Sequence, residues 1–186
     1  EAHHRVRITD DASVAAAQII ERVEHLREVA QGFGNLAALE QWEPAVFDLL
    51  SAARKVVDEY RVLPSRGIAL VVEGTPGQVR ADPLWVERAL RHLLENSVRV
   101  LGDRDGTVTL RVDSVGAEIV LTVRDTGGGV APELLGRLFE PHFSTTSEGS
   151  GMGLAVVARV LARAGGSVQA CNASEGLEVR LHFPAV

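Results

Sequence analysis

The chain has 186 residues, 46% of them hydrophobic and 24% charged, enough for one globular domain with a helical appendage and for a real core. Its formal net charge of -6 supplies no broad basic field, which excludes nucleic acid or an anionic membrane as an electrostatically recruited partner. A single cysteine, Cys171, excludes an internal disulfide framework and suits a reducing compartment, where its expected role is core filling.

No apolar run reaches the roughly 20 residues of a membrane span, and Glu1-Ala2-His3-His4 resembles no signal peptide. The chain opens without a Met, so a cytoplasmic piece of a longer, membrane-anchored parent is a consistent expectation, with no direct membrane contact by this piece.

In chain order, Ala12, Ala16, Ile19, Val23, Leu26, Ala30, Phe33 and Ala37 repeat at alternating spacings of four and three, a heptad seam running to about Leu39. One helix cannot bury such a stripe alone. The segments after it already make a complete α/β pattern, so the seam is assigned to a partner helix, with packing onto its own domain as the alternative. Glu40-Gln41-Trp42-Glu43-Pro44 then breaks the helix and marks a linker, placing a boundary near residue 43: residues 1–43 a helical stem, residues 44–186 a globular domain.

Beyond it, Asp48 is placed to cap a helix through about Tyr60, and Gly67 to Glu73 alternates as a strand. Thr75-Pro76-Gly77 is a turn and Val79 to Ala81 a short strand. Asp82-Pro83 sets an N-cap before a proline at the first helical position, opening a helix to Leu101 that Gly102 stops. Strands Thr107 to Asp113 and Glu118 to Arg124 follow, then a short helix at Pro132 and a longer one from Gly151 or Gly153 to Gly165-Gly166. Strands Ser167 to Asn172 and Leu177 to Phe183 finish the chain. Tight turns between strands predict a mixed, mostly antiparallel sheet with helices on one face, an α+β two-layer sandwich.

Three segments carry chemistry. On the helix from Pro83, at about 100° per residue, Val86, Leu90, Leu93, Leu94, Ser97, Val98 and Leu101 share one arc, while Arg88, His92, Glu95, Asn96 and Arg99 cluster opposite. An Asn amide oxygen is a neutral hard ligand suited to Mg²⁺. Arg99, one turn on, can pair with a phosphate oxygen, and Glu95 is a candidate catalytic carboxylate; an ordinary solvated face is the alternative. Asp125 ends a strand and is expected at the sheet edge beside Gly127, Gly128 and Gly129. There its carboxylate can accept from an adenine amino group or, alternatively, cap the helix at Pro132.

Gly149-Ser150-Gly151-Met152-Gly153-Leu154 leads into a helix whose first N–H groups would face phosphate. It matches neither the dinucleotide pattern, because Leu154 holds the last position, nor a P-loop, because it has no Lys. Phe139 to Glu148, with two aromatics among Ser and Thr, reads as a lid anchored by Phe139 and Phe143.

These residues resemble the catalytic ATP-binding domain of sensor histidine kinases, within the wider fold shared by gyrase, Hsp90 and MutL. The matching blocks are Leu90 to Ser97, Asp125 to Val130, Leu138 to Thr145 and Gly149 to Leu154. Leu26 to Leu39 followed by Glu43-Pro44 further looks like the end of the second dimerisation helix of nitrogen-regulation-type sensor kinases.

The resemblance implies a Bergerat-type fold that binds ATP and Mg²⁺ and passes the γ-phosphoryl to a histidine on the dimerisation helix and then to an Asp of a response-regulator receiver domain. A homodimer through the N-terminal helix goes with it. By position, Asn96 resembles the Mg²⁺ ligand, Asp125 the adenine reader and Gly127 and Gly129 the purine-side loop. Gly149, Gly151 and Gly153, with Met152 and Leu154, form the phosphate loop beneath a lid holding Thr145 and Thr146, and Arg99 matches a phosphate-contacting basic residue.

His92 stands where kinases carry Asn or His and hydrolysing relatives their catalytic Glu, which implies phosphoryl transfer rather than water attack. Thr146 or Ser147 replaces a frequent lid Lys or Arg, and Leu177 a frequent Thr, so a weak ATP affinity, a nucleotide-binding pseudokinase and an ATPase of the same fold are the alternatives. His4 is the candidate phosphoacceptor, although an Arg follows it and the stretch is too short for a helical hairpin; part of a first helix would then be missing from the sequence.

Overall fold

The computed structural model describes residues 41–61, 67–144 and 151–186, together with Ala15 and Val23 in helical conformation. The heptad seam as a whole, His4, Thr145, Thr146 and Gly149 lie outside the described residues. Among the described residues no helix is long and apolar enough to cross a membrane.

The body begins with strand β1 (Ala45–Asp48), which pairs antiparallel with β3 (Gln78–Ala81). The sequence reading missed β1, because four residues directly after Pro44 carry too little alternation to register. The segment before it is also tied down: the Glu43 N–H donates to Asp82 Oδ2 at 2.9 Å, and Arg163 stacks over Trp42 at 5.7 Å. Helix α1 (Leu49–Arg61) starts where expected. Asp48 accepts from the Ser51 N–H at 2.8 Å and the Ser51 hydroxyl at 2.6 Å, and its second oxygen accepts from the Gly77 N–H at 2.8 Å.

Burial pushes the Asp48 carboxyl up, but donors from Ser51, Gly77 and Leu50 outweigh it and hold it below the usual 3.8. A depressed folded value means the contribution is present at neutral pH and is lost as pH falls through it. Asp48→Ala should therefore lower unfolding stability by about 1 kcal/mol at pH 7, the usual worth of an N-cap. The deficit should shrink below about pH 4, as urea melts at pH 7 and pH 3 would show.

Strand β2 (Ile68–Gly74) and helix α2 (Pro83–Leu101) follow. Asp82 Oδ1 accepts from the N–H groups of Leu84 at 3.0 Å and Trp85 at 3.3 Å, Pro83 occupies the first turn, and Gly102, at φ 59°, ends the helix by donating to the Val98 carbonyl. Next come β4 (Gly106–Val115), β5 (Glu118–Asp125), a 3₁₀ helix (Pro132–Arg137), α3 (Gly153–Arg163), β6 (Ser167–Asn172) and β7 (Leu177–Pro184). The short helix at Pro132 is thus a 3₁₀ turn.

The five-stranded sheet has the order β2-β4-β5-β7-β6, and only the β2–β4 pairing is parallel. A parallel pair needs a long crossover, which β3 and α2 provide. Inward-facing Val108, Leu110, Leu121, Val123, Leu181 and Phe183 pack against Val86, Leu90 and Leu94 of α2 and Val157 and Leu161 of α3. The opposite face is charged and open, laced by Arg111 with Asp113 at 2.8 Å and His182 with Glu118 at 2.9 Å. The sandwich is therefore two-layered, as the turn pattern predicts.

Cys171 does not fill the core. Val168 and Ala170 face inward on β6, so the alternation turns Cys171 outward, half-buried, with its thiol 3.8 Å from Glu178 Oε1. Between α1 and α2 lies a charge network invisible in the pattern: buried Glu87 accepts from Lys55 at 2.7 Å and meets Arg91 at 3.5 Å, while Arg91 donates to Glu59.

Candidate nucleotide-binding site

Strand β5 ends in Asp125 because Thr126 and three glycines cannot continue it. With β4 on one side and β7 on the other, β5 is the sheet's central strand, so Asp125 stands at the end of the middle strand and not on an edge. Its residue is only 6% exposed. Oδ1 accepts from the N–H groups of Gly127 at 2.8 Å and Leu177 at 3.2 Å, and Oδ2 from the Ser97 hydroxyl at 3.3 Å. A buried carboxylate with three donors is well satisfied and firmly aimed, yet its two oxygens can accept further. It does not cap the helix at Pro132, where the 3₁₀ turn has no side-chain cap.

The glycine loop after Asp125 is braced from three sides. Gly128 and Gly129 sit at φ 96° and 73°, where glycine is at home. Asn172, at the end of β6, grips Val130 with both ends of its amide: Oδ1 accepts from the Val130 N–H at 2.9 Å and Nδ2 donates to the Val130 carbonyl at 2.6 Å. The Gly128 N–H donates to the Glu175 carbonyl at 2.8 Å. Arg104 donates to the Val100 carbonyl at 2.7 Å at the end of α2 and reaches the Gly127 carbonyl at 3.5 Å. Sequence reasoning had no role for Asn172, Glu175, Gly176 or Arg104. The run Asn172-Ala173-Ser174-Glu175-Gly176 signals a turn, and only the folded sheet shows which loop that turn supports.

Helix α2 presents its polar face to the same region. His92 and Asn96 are half-buried, whereas Glu95 and Arg99 are exposed. His92 Nδ1 lies 3.4 Å from Glu95 Oε2, and Tyr60 donates to Glu95 Oε1 at 3.1 Å. The contact with His92 outweighs partial burial and holds the Glu95 carboxyl below its usual range, with help from Tyr60 and Arg99; burial and Glu95 in turn push the Tyr60 hydroxyl well up. Glu95 is thus committed to neighbours within the fold.

The start of α3 meets α2 at His92: a Cβ on Gly153 would sit 3.5 Å from the ring's Cγ. Gly151, at φ 65°, lies so close to the segment assigned to the lid that a Cβ there would be 2.5 Å from His142 C and 2.7 Å from Phe143 N. Met152 is buried at 2% exposure and accepts the Val156 N–H at its carbonyl, and Leu154 packs half-buried on the core, so their side chains serve the loop by packing. Phe139 is anchored in the core and Phe143 lies under the Arg137 guanidinium at 4.5 Å, as lid anchors would. The fold therefore brings Asp125, Gly127 and Gly153 against α2, which carries His92 and Asn96, with Gly129 held on the β6–β7 turn and Gly151 against His142 and Phe143.

The family described as histidine kinase-, DNA gyrase B- and HSP90-like ATPases matches residues 81–186. The chain is 36% identical over 93 residues to the sensor histidine kinase ZraS of Salmonella typhi, an alignment covering 50% of this chain and 20% of that protein. It is 33% identical over 156 residues to the C4-dicarboxylate transport sensor protein DctS of Rhodobacter capsulatus, covering 82% of this chain and 23% of the relative. The chain thus spans about a fifth to a quarter of the length of these relatives. Among solved structures, the mycobacterial sensor histidine kinase MprB superposes with a TM-score of 0.67 at 26% identity, over 77% of this chain and 97% of that one. The chain belongs to the family of histidine kinase-, DNA gyrase B- and HSP90-like ATPases, and within it carries the catalytic-domain type of the sensor histidine kinases.

Proposed function

We propose that residues 44–186 bind Mg²⁺-ATP and act as the kinase half of an ATP-dependent protein-histidine kinase, with residues 1–43 part of a dimerising stem. The observation that carries this reading is Asp125: a buried, triply hydrogen-bonded carboxylate beside a braced glycine loop and bonded to Ser97 of α2. That arrangement suits an adenine amino group at Asp125 and phosphates between α2 and the start of α3, where the N–H groups of a helix terminus favour anions.

Asn96, half-buried on the polar face of α2, is the proposed Mg²⁺ ligand. Mg²⁺ keeps several waters and shares itself with substrate phosphates, so one neutral oxygen ligand from the protein suits it. His92 fits the same group, since its ring Nε2 is buried with no hydrogen-bond partner among the described residues. When bound, Mg²⁺ would neutralise phosphate charge. The residues of this chain would supply positioning, the main source of rate in phosphoryl transfer. In the step itself the bond from the γ-phosphorus to the bridging oxygen of ADP breaks as one forms to a neutral imidazole nitrogen. His92 at the position of the hydrolases' Glu supports transfer to histidine over attack by water.

His4 is the proposed acceptor within this sequence, and a receiver-domain Asp on a response regulator the next. Val23, on the heptad seam and 57% exposed, supports a homodimer through the stem. A cytoplasmic location goes with that chemistry.

The test is to incubate the purified chain and γ-labelled Mg²⁺-ATP with a second chain carrying an intact dimerisation histidine. Acid-labile, base-stable label on that chain is the expected result. Nucleotide binding without label transfer would point to a pseudokinase, and release of inorganic phosphate alone to an ATPase.

A further inference from the structure

We infer that Tyr60 and Glu95 form a positioning relay that holds the His92 ring with its Nε2 as a bare acceptor facing the Mg²⁺-triphosphate end of the site. The inference rests on the reading of α2 as the Mg²⁺-ATP face and goes beyond it, since it gives two residues remote from any glycine loop a defined task.

Three observations meet at His92. Its Nδ1 is 3.4 Å from Glu95 Oε2, a long contact that still sets the carboxylate against this nitrogen and not the other. The other carboxylate oxygen is fixed from a different helix by the Tyr60 hydroxyl at 3.1 Å, across 35 residues of sequence. The remaining ring nitrogen, Nε2, is buried and has no hydrogen-bond partner among the described residues. A buried polar atom left unpaired costs stability; of the two such ring nitrogens among the described residues, that of His182 lies on the open sheet face and that of His92 belongs to the ring against the start of α3.

Glu95 can only accept, so the proton between them belongs on Nδ1, and a neutral imidazole then carries its lone pair on Nε2. A lone pair accepts from a donor such as a cation-bound water and repels a bare phosphate oxygen. Contacts of this outer kind orient ligands in metal sites and are worth about 10–100-fold in affinity. Gly153 lies against the same ring, so a misplaced imidazole would also crowd the start of α3. The relay thus ties α1 to the phosphate end of the site through α2.

Two readouts test it at fixed pH 8. In nucleotide-free protein labelled with ¹⁵N-histidine, the signal absent from His92→Asn should report the tautomer protonated at Nδ1, and Glu95→Ala should shift it toward the tautomer protonated at Nε2. By calorimetry, Glu95→Ala should weaken Mg²⁺-ATP about tenfold and Tyr60→Phe about threefold, while metal-free ATP changes less than twofold. Glu95→Gln keeps an acceptor and should recover most of the loss.

An Nε2-protonated His92 in the native chain overturns the relay. So do equal losses with and without Mg²⁺, which would mark Glu95 and Tyr60 as merely structural. Should the native chain bind no nucleotide at all, the site reading fails, while the tautomer measurement still decides the relay.

Discussion

Asp125→Ala is expected to abolish measurable ATP binding, and Asp125→Asn to do nearly the same while leaving the fold intact. The two variants separate the carboxylate's two tasks. Alanine removes every acceptor at the end of β5, so the N–H groups of Gly127 and Leu177 and the Ser97 hydroxyl lose their partner together. Each buried donor left unmet costs about 1–3 kcal/mol, so thermal unfolding should shift downward as affinity disappears.

Asparagine keeps Oδ1 for Gly127 and Leu177, and the Ser97 hydroxyl can rotate to accept from the new amide nitrogen. Its melting point should stay close to native. The group offered to an adenine amino group is then itself a donor, so one charged hydrogen bond is replaced by an opposed pair. At about 1.5–3 kcal/mol for the bond alone, affinity should fall by roughly 10–150-fold. Calorimetry and melting curves on both variants make the comparison. An Asp125→Asn protein that binds ATP within threefold of native would remove Asp125 as the adenine reader and with it the proposed orientation of the nucleotide.

What was legible beforehand was local. Asp82-Pro83 and Gly102 fix both ends of α2 because an N-cap, a first-turn proline and a positive-φ stop act within a few residues of themselves. The strand pattern of β4, β5 and β7 reads correctly because one face of each packs on the core and the other is mostly wet, so the alternation shows, interrupted only by buried Val120 in β5. Gly127, Gly129 and Gly151 announce close approach of a neighbouring segment for the same local reason.

What stayed hidden depends on distant partners. Nothing near Asn172 says that its amide will clip Val130, 42 residues away, and nothing near Tyr60 points to Glu95. Cys171 was misplaced because a lone apolar residue in a short edge strand has no neighbours to fix its phase; Val168 and Ala170 set it in the sheet. The central position of Asp125 likewise follows from strand order, which tight turns predict only in part.

Gly176→Ala is expected to cost nearly as much binding as the loss of Asp125, although residue 176 is no ligand on any reading. A Cβ at 176 would overlap the Asp125 carbonyl oxygen and stand 2.6 Å from both the Asp125 carbonyl carbon and Oδ1. Two of those three atoms are backbone of the central strand, so no rotamer change relieves the contact. The turn between β6 and β7 must instead lift off β5.

That turn carries the Glu175 carbonyl that accepts from Gly128 and the Leu177 N–H that donates to Asp125, and it adjoins Asn172, which holds Val130. Lifting it frees the loop at Gly128 and Val130 and leaves only Gly127 held, by Asp125 and Arg104. Overpacking of this kind costs about 1–3 kcal/mol of stability, tolerable for the domain. A loop no longer held in its binding shape forfeits affinity in proportion to the population it loses, here expected at tenfold or more.

Glu175→Ala is the control, because the loop uses only that residue's backbone and its side chain is exposed. Amide spectra of Gly176→Ala should show shifts concentrated at residues 125–130 and 172–178, with α1 and the β1–β3 pair unchanged. If the alanine variant binds ATP within twofold of native, the hairpin is not what holds the loop, and the order in the Asp125 loop must come from Arg104 and the end of α2 alone.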